Sequence, residues 1–248
     1  MDWSFQLYSA RNFQPWDKVL ETLGMIGYKN VEGFGGLYDD PARLRATLDR
    51  NGLAMPSGHF SLDMLENDFD KALGIANTLG MKLVACPHIT EDLRPSDAAG
   101  WRGFGQRLGK IGARFKGTGI GFGWHNHDFE FVRLADGSVP QEHILDAAPD
   151  IGWEIDVAWV IRGGADPKEW IEKYGPRIVA VHVKDIAPAG HNKDQDGWAD
   201  VGHGTVDWKE LYKLLRDKTP AKYFVMEHDN PSDATRFARL SYAAAQNF

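Results

Sequence analysis

Short apolar runs recur about every 30 residues, each followed by an amphipathic stretch, the rhythm of repeating βα units. The predicted strands are Phe5–Tyr8, Asn30–Phe34, Leu53–Ser57, Lys82–Cys86, a run opening at Gly119 and closing at His125, Ile151–Asp156, Ile178–His182 and Lys222–Glu227. Between them the punctuation is helical. Pro15 to Met25 has Pro near its start and Gly27 beyond its end, and Asp40-Pro41 and Asp166-Pro167 pair an N-cap with a first-turn proline. Asp63 to Leu79 is closed by Gly80, and further helices run from Ser96 or Asp97 to about Lys116, Gln141 to Ala147, Asp207 to Arg216 and Ser232 to Ala245. Ala187 to Thr205 is polar and glycine-rich and reads as a long functional loop over one end of the fold. Eight strands alternating with eight helices in 248 residues predict the α/β class and a single (β/α)8 TIM barrel occupying residues 1–248, with no linker to mark a second domain. The rival, a doubly wound open sheet with a dinucleotide site, lacks a Gly-x-Gly-x-x-Gly after its first strand.

The barrel reading gives the polar strand ends a common address, because all parallel strands open on one face. The fifth strand runs into Trp124-His-Asn-His-Asp-Phe-Glu130, a dense cluster of polar groups that are costly to bury unpaired. The sixth, seventh and eighth strands close on Asp156, His182 and Glu227, so His125, Asp156, His182 and Glu227 are aimed at one point. Two imidazoles and two carboxylates are a ligand set for a hard or borderline divalent metal. Glu154 shares the strand face of Asp156 one layer deeper, where an ion pair competes with metal ligation. Lys184 shares the face of His182 and can hold a substrate oxygen. Tyr8, His59 and His88 stand at or just past other strand ends as candidate pocket residues, as does Glu32, whose type is more often a packing or capping group. Trp124, Trp159 and Trp198 are placed to line a sugar-sized pocket, with a structural role as the alternative.

Composition removes some functions. With a net charge of −7, duplex nucleic acid is not an expected partner, since it requires clustered Lys and Arg. The single cysteine, Cys86, excludes an intrachain disulfide and a thiolate zinc cluster. No apolar run reaches membrane-span length and no secretory leader is visible at the N-terminus, so the expectation is a cytoplasmic protein, with homo-oligomerisation left open.

Taken together, Gln6-Leu-Tyr-Ser-Ala-Arg11, Gly27-Tyr-Lys-Asn-Val-Glu32, Ser57-Gly-His59, His125-Asn-His-Asp-Phe-Glu-Phe131, Asp156-Val-Ala-Trp159, His182-Val-Lys-Asp185, Val201-Gly-His-Gly204 and Met226-Glu-His-Asp229 resemble the xylose isomerase-like TIM barrels, the sugar phosphate isomerases/epimerases. The resemblance runs nearly end to end. It implies one divalent ion, manganese first, with zinc, magnesium or cobalt as alternatives, and a sugar or cyclitol substrate. Asp156, His182 and Glu227 match three of the family's four ligands, while His125 stands where epimerase-like members carry glutamate, and Trp159 where they tend to carry histidine. Inosose dehydratase-like members share a histidine-rich run at this place, and members acting on 3-keto glycosides are a further comparison. The implied chemistry is proton abstraction beside a carbonyl by Glu227 or by His125 or His127, with isomerisation, epimerisation and elimination open. The missing glutamate favours a lopsided site with Glu227 on one side and His127 or Glu130 on the other, and hence elimination or isomerisation. Two other classes use the same barrel: a three-zinc endonuclease, which needs a basic surface, and a non-catalytic sugar-binding or partner subunit.

Overall fold

The computed structural model describes residues 2–248. Eight parallel strands close into a barrel: β1 (Ser4–Gln6), β2 (Asn30–Gly33), β3 (Ala54–His59), β4 (Leu83–Cys86), β5 (Gly121–His125), β6 (Gly152–Asp156), β7 (Ile178–Val183) and β10 (Tyr223–Met226). Each pairs with its sequence neighbours, and β10 closes the ring against β1 with Phe5 opposite Met226. The two-residue alternation along each strand sends Phe5, Phe122, Trp124, Trp153 and Phe224 outward into the main core under the helices. It sends Gln6, Glu32, Ser57, His59, His125, Glu154 and His182 into a barrel interior that is polar towards its mouth.

Aspartates set the helix starts. Asp40, Asp97, Asp166, Asp207 and Asp233 each accept a backbone N–H from the first turn of α2 (Pro41–Arg50), α5 (Ala98–Phe115), α8 (Pro167–Tyr174), α9 (Trp208–Lys218) and α10 (Ala234–Ala245). Each such cap contributes about 1 kcal/mol. The helix α1 (Trp16–Ile26) ends at Gly27, which takes a φ of 120° that a side chain would strain. The helix α6 (Pro140–Ala147) falls where expected.

Three expectations need correction. The helix expected over 63–79 is two, α3 (Leu62–Asn67) and α4 (Phe69–Leu79), broken at Asp68, whose φ of −126° is not helical. Asn67 and Asp68 are poor interior helix residues, because their side chains compete for backbone hydrogen bonds. The element after strand six is not the helix opening at Asp166-Pro167: Asp156 accepts the Trp159 N–H at 2.9 Å and caps an additional helix, α7 (Val157–Arg162). The long segment over 187–205 is also structured, since β8 (Asp185–Ile186) and β9 (Trp198–Ala199) pair antiparallel.

Candidate metal centre

His125 and Asp156 are the last residues of β5 and β6, His182 lies one residue before the end of β7, and Glu227 follows β10 directly. All four are buried, and one ligand atom from each lies within 4.8 Å of the others. A second group shares His125 and His182 and adds His59 and Glu154 within the same span. The two groups are stacked along the barrel axis because Glu154 and Asp156 are two residues apart on one strand face.

Asn126 locks this arrangement. Its Oδ1 accepts from the Trp153 indole at 2.9 Å and from the Asp156 N–H at 3.0 Å, and its Nδ2 donates to the Asp156 carbonyl at 3.2 Å. The ends of β5 and β6 are thereby held in register. His182 stands between two carboxylates, its Nε2 2.6 Å from Glu32 and its Nδ1 2.8 Å from Glu227. Glu32 also accepts from Gln6 at 2.8 Å.

The electrostatics follow from this crowding. Burial alone would lower the pKa of His182, but Glu227, Glu154 and Glu32 outweigh it and hold it well above the ordinary histidine value. The same competition, burial against Glu32 and Glu154, puts His59 at about 10, and His59 Nε2 lies 2.6 Å from Glu154. Glu154 therefore has an imidazole partner as well as a place in the second ligand group, and burial with the nearby Glu32 raises it to about 7. Burial raises Asp156 to about 6, against the pull of Lys184. Burial would raise Glu227 too, but Lys184 and His182 keep it below the usual carboxylate range. Lys184 is fully buried, 2.7 Å from Asp229, 3.2 Å from Glu227 and 3.6 Å from Asp156. Burial opposes its charge, yet these carboxylates hold its pKa above the ordinary lysine value.

Some buried ligand atoms lack partners. His125 Nδ1 and Asp156 Oδ2 make no hydrogen bond among the described residues, nor do Glu154 Oε1 and Glu32 Oε2. Orphaned buried polar atoms are rare in folded proteins and need an explanation. A divalent cation among His125, Asp156, His182 and Glu227 would satisfy the first two and take over the positive charge that protonated His182 supplies. The donor set, two imidazoles and two carboxylates, suits manganese or zinc chemistry. The residues therefore fit a metal ion.

Beside this cluster a cavity of about 660 Å³ opens to solvent, lined on its polar side by His59, His88, His125, His127, Glu227 and Asp229. Tyr8, expected as a pocket residue, is also in its wall. His127 belongs to neither ligand group. Its pKa is well below the ordinary histidine value, first through burial and then through Lys184 and His88, and its Nδ1 has no partner.

Five expected substrate contacts are not in the cavity wall. Trp124 points outward against Phe104 of α5, rings 5.1 Å apart, because strand alternation puts it on the face opposite His125. Glu130 turns back to accept the His127 N–H at 2.9 Å, and burial raises it to about 8. Glu154 is spent on His59 below the cluster. Trp159 packs behind the cluster, its ring 5.1 Å from the Lys184 ammonium and 5.3 Å from the His127 ring. Lys184 reaches the cavity only through Glu227 and Asp229, which it binds.

Asn126 and Asp229 belong to the site and were not singled out from sequence. Asn126 sits between the two histidines already noted, and Asp229 lies two residues past Glu227 on its strand face, so each had a positional signal. Glu32 had its strand-end position, but its contact with His182 spans 150 residues.

A closed parallel barrel with a metal-capable cluster at the C-terminal ends of its strands is the layout in which barrel enzymes carry their active sites. The family model for the xylose isomerase-like TIM barrel matches residues 20–245, and the chain belongs to that family. It is 23% identical over 266 residues to the inosose dehydratase of Klebsiella pneumoniae subsp. pneumoniae, covering 94% of this chain and 88% of that one. A sugar phosphate isomerase/epimerase from Parabacteroides distasonis superposes with a TM-score of 0.83 at 22% identity, over 99% of this chain and 93% of that one. The IOLI protein, solved with a bound zinc atom, superposes with a TM-score of 0.78 at 15% identity, over 100% of this chain and 99% of that one.

Proposed function

We propose that the protein is a divalent-metal-dependent lyase that eliminates water or an alcohol from a polyhydroxylated ring bearing a ketone. His125, Asp156, His182 and Glu227 hold the metal. When bound, it supplies positive charge to the oxygen that gains negative charge as the neighbouring C–H bond is broken. The similarity to inosose dehydratases and the zinc in the IOLI protein support the two halves of this reading.

The observation that carries it is His127. It is neutral, lines the cavity, has an unpartnered ring nitrogen and stands outside both ligand groups. A ligand histidine has committed its lone pair, whereas His127 can accept the proton from the carbon next to the ketone. Asp229 lines the same cavity, and burial raises its carboxyl pKa, so it can deliver a proton to the departing oxygen while Lys184, 2.7 Å away, stays its hydrogen-bond partner. One C–H and one C–O bond break, a C=C bond forms, and the proton count is restored in the water or alcohol released. Glu130, the other base considered, is occupied by the His127 backbone. Isomerisation begins with the same proton abstraction and is the second reading, favoured by Glu227, an ionised carboxylate in the cavity wall.

Proton exchange in heavy water at the carbon beside the carbonyl of a keto-cyclitol tests the assignment. His127→Ala should slow exchange by about 10²- to 10⁴-fold, the range of general base catalysis, with less effect from Glu227→Gln at saturating metal. Wild-type exchange in His127→Ala would remove His127 as the base and return the role to Glu227.

A further inference from the structure

The cavity wall is divided by strand. Its reactive groups come from the second half of the barrel: His125 and His127 at the end of β5, Glu227 and Asp229 after β10. The loops after β1 to β4 contribute Tyr8, Phe34, Phe60, Leu62, Ile89 and Leu93. These six make that side of the wall mostly apolar, with Ser61, Asp63 and Thr90 as its polar interruptions. Two are exposed at the rim, Tyr8 at 38% and Leu93 at 54%, and they are two of the four large hydrophobic side chains exposed among the described residues. The exposed aromatic is held in place, since Tyr8 meets Phe34 edge-to-face at 5.4 Å and the Arg11 guanidinium lies 3.9 Å over its ring.

A free sugar or cyclitol can lay one apolar C–H face on a single aromatic ring, but one ring cannot cover a wall of six apolar side chains. The volume, about 660 Å³, lies within the ~300–1,000 Å³ of small-molecule pockets and leaves room beyond the cluster for a second group. From this division, and resting on the function proposed above, we infer that the substrate is a two-part molecule: a polyhydroxylated ring at the metal cluster and an apolar, aromatic substituent against the β1–β4 loops. The occupant is thus an aryl glycoside or its keto derivative. The apolar loops fix substrate choice while the other half-barrel carries the chemistry. His59 and His88 lie on the loop side of the cavity and give that wall its polar contacts with the ring.

Calorimetric titration of the manganese-loaded protein with matched phenyl and methyl β-pyranosides of the gluco, galacto and xylo series tests the inference by binding alone. The phenyl member of at least one series should bind about tenfold or more tightly than its methyl partner, the scale expected for burying an aromatic face. Leu93→Asp, at an exposed position that leaves folding intact, and Phe34→Ala should each bring the pair to within about threefold. No phenyl preference in any series, or a preference unchanged in both variants, overturns the inference. Its fate is separable from that of the reaction. A phenyl preference without proton exchange retains the aromatic subsite and rejects the lyase reading, whereas exchange without a phenyl preference does the reverse.

Discussion

His182 shows how one side chain sets the chemistry of the cluster. An imidazole can bind a metal through one nitrogen only when the other nitrogen holds the proton, and that proton needs an acceptor. Glu32, 2.6 Å from Nε2, is that acceptor, and Gln6 holds it from the other side. Nδ1 is then left facing Glu227 and the proposed metal position. Glu32→Gln should weaken manganese or zinc binding by about 10- to 100-fold, as read by competition with a chromogenic chelator; unchanged affinity would reduce Glu32 to a packing role. Lys184 is a second case. It is the ammonium among Asp156, Glu227 and Asp229, and Lys184→Met would leave that buried carboxylate cluster short of a cation. A loss of about 3–5 kcal/mol is expected, measurable by urea unfolding in the presence of chelator, and a loss below about 1 kcal/mol, the scale of an exposed ion pair, would show that the carboxylates take up protons instead. The places of Asp156 and His182 at the barrel mouth were legible in the sequence because a strand end has only one place to point in a parallel barrel. Glu32 and Asp229 were less so, because their roles are defined by partners on other strands. Trp124 was misplaced for a simpler reason: adjacent to His125, it must face the opposite way.

The elements were legible where the chain punctuates itself. The Asp-Pro starts of α2 and α8 and the Gly80 end of α4 are local signals with local causes. The segment after the β8–β9 hairpin has no such signal, because it is tied down by one side chain. Asp185 accepts the N–H groups of Gly202, Gly204 and Val206 at 2.9, 3.1 and 3.0 Å, and that of Ile186 at 2.8 Å. A polar run that reads as a long functional loop is thereby anchored back on the strand that precedes it. Gly204 is required in this anchor, since a Cβ there would collide with the Asp185 carboxylate. Asp185→Ala strips four backbone donors of a charged acceptor and should cost about 3 kcal/mol, with faster limited proteolysis between residues 187 and 205. Gly204→Ala should produce the same cleavage pattern more weakly. Proteolysis as slow as wild type in both variants would mean that β8–β9 pairing alone holds the segment.

At the scale of the whole molecule, the site exists only when the barrel is closed. The proposed ligands His125, Asp156, His182 and Glu227 are spread over four strands and have no local pair in sequence, so the unfolded chain would offer a metal no comparable site. The eightfold βα rhythm is therefore what made the cluster readable, and the chemistry of single motifs added little until that rhythm placed them. The same topology makes the metal and the fold one equilibrium, because a ligand that binds only the folded state stabilises it by mass action. At 100 times the dissociation constant the gain is about 2.7 kcal/mol, or roughly 5–10 °C in Tm for a chain of this size. Differential scanning fluorimetry with manganese, zinc, cobalt and magnesium should show such a shift for at least one ion, together with its loss on chelation. Asp156→Ala and His182→Ala should abolish it, while His127→Ala, outside both ligand groups, should keep it. A shift that survives in both ligand variants would place the ion elsewhere, and no shift with any of the four ions would leave His182 a protonated link between Glu32 and Glu227 and remove the metal from the mechanism.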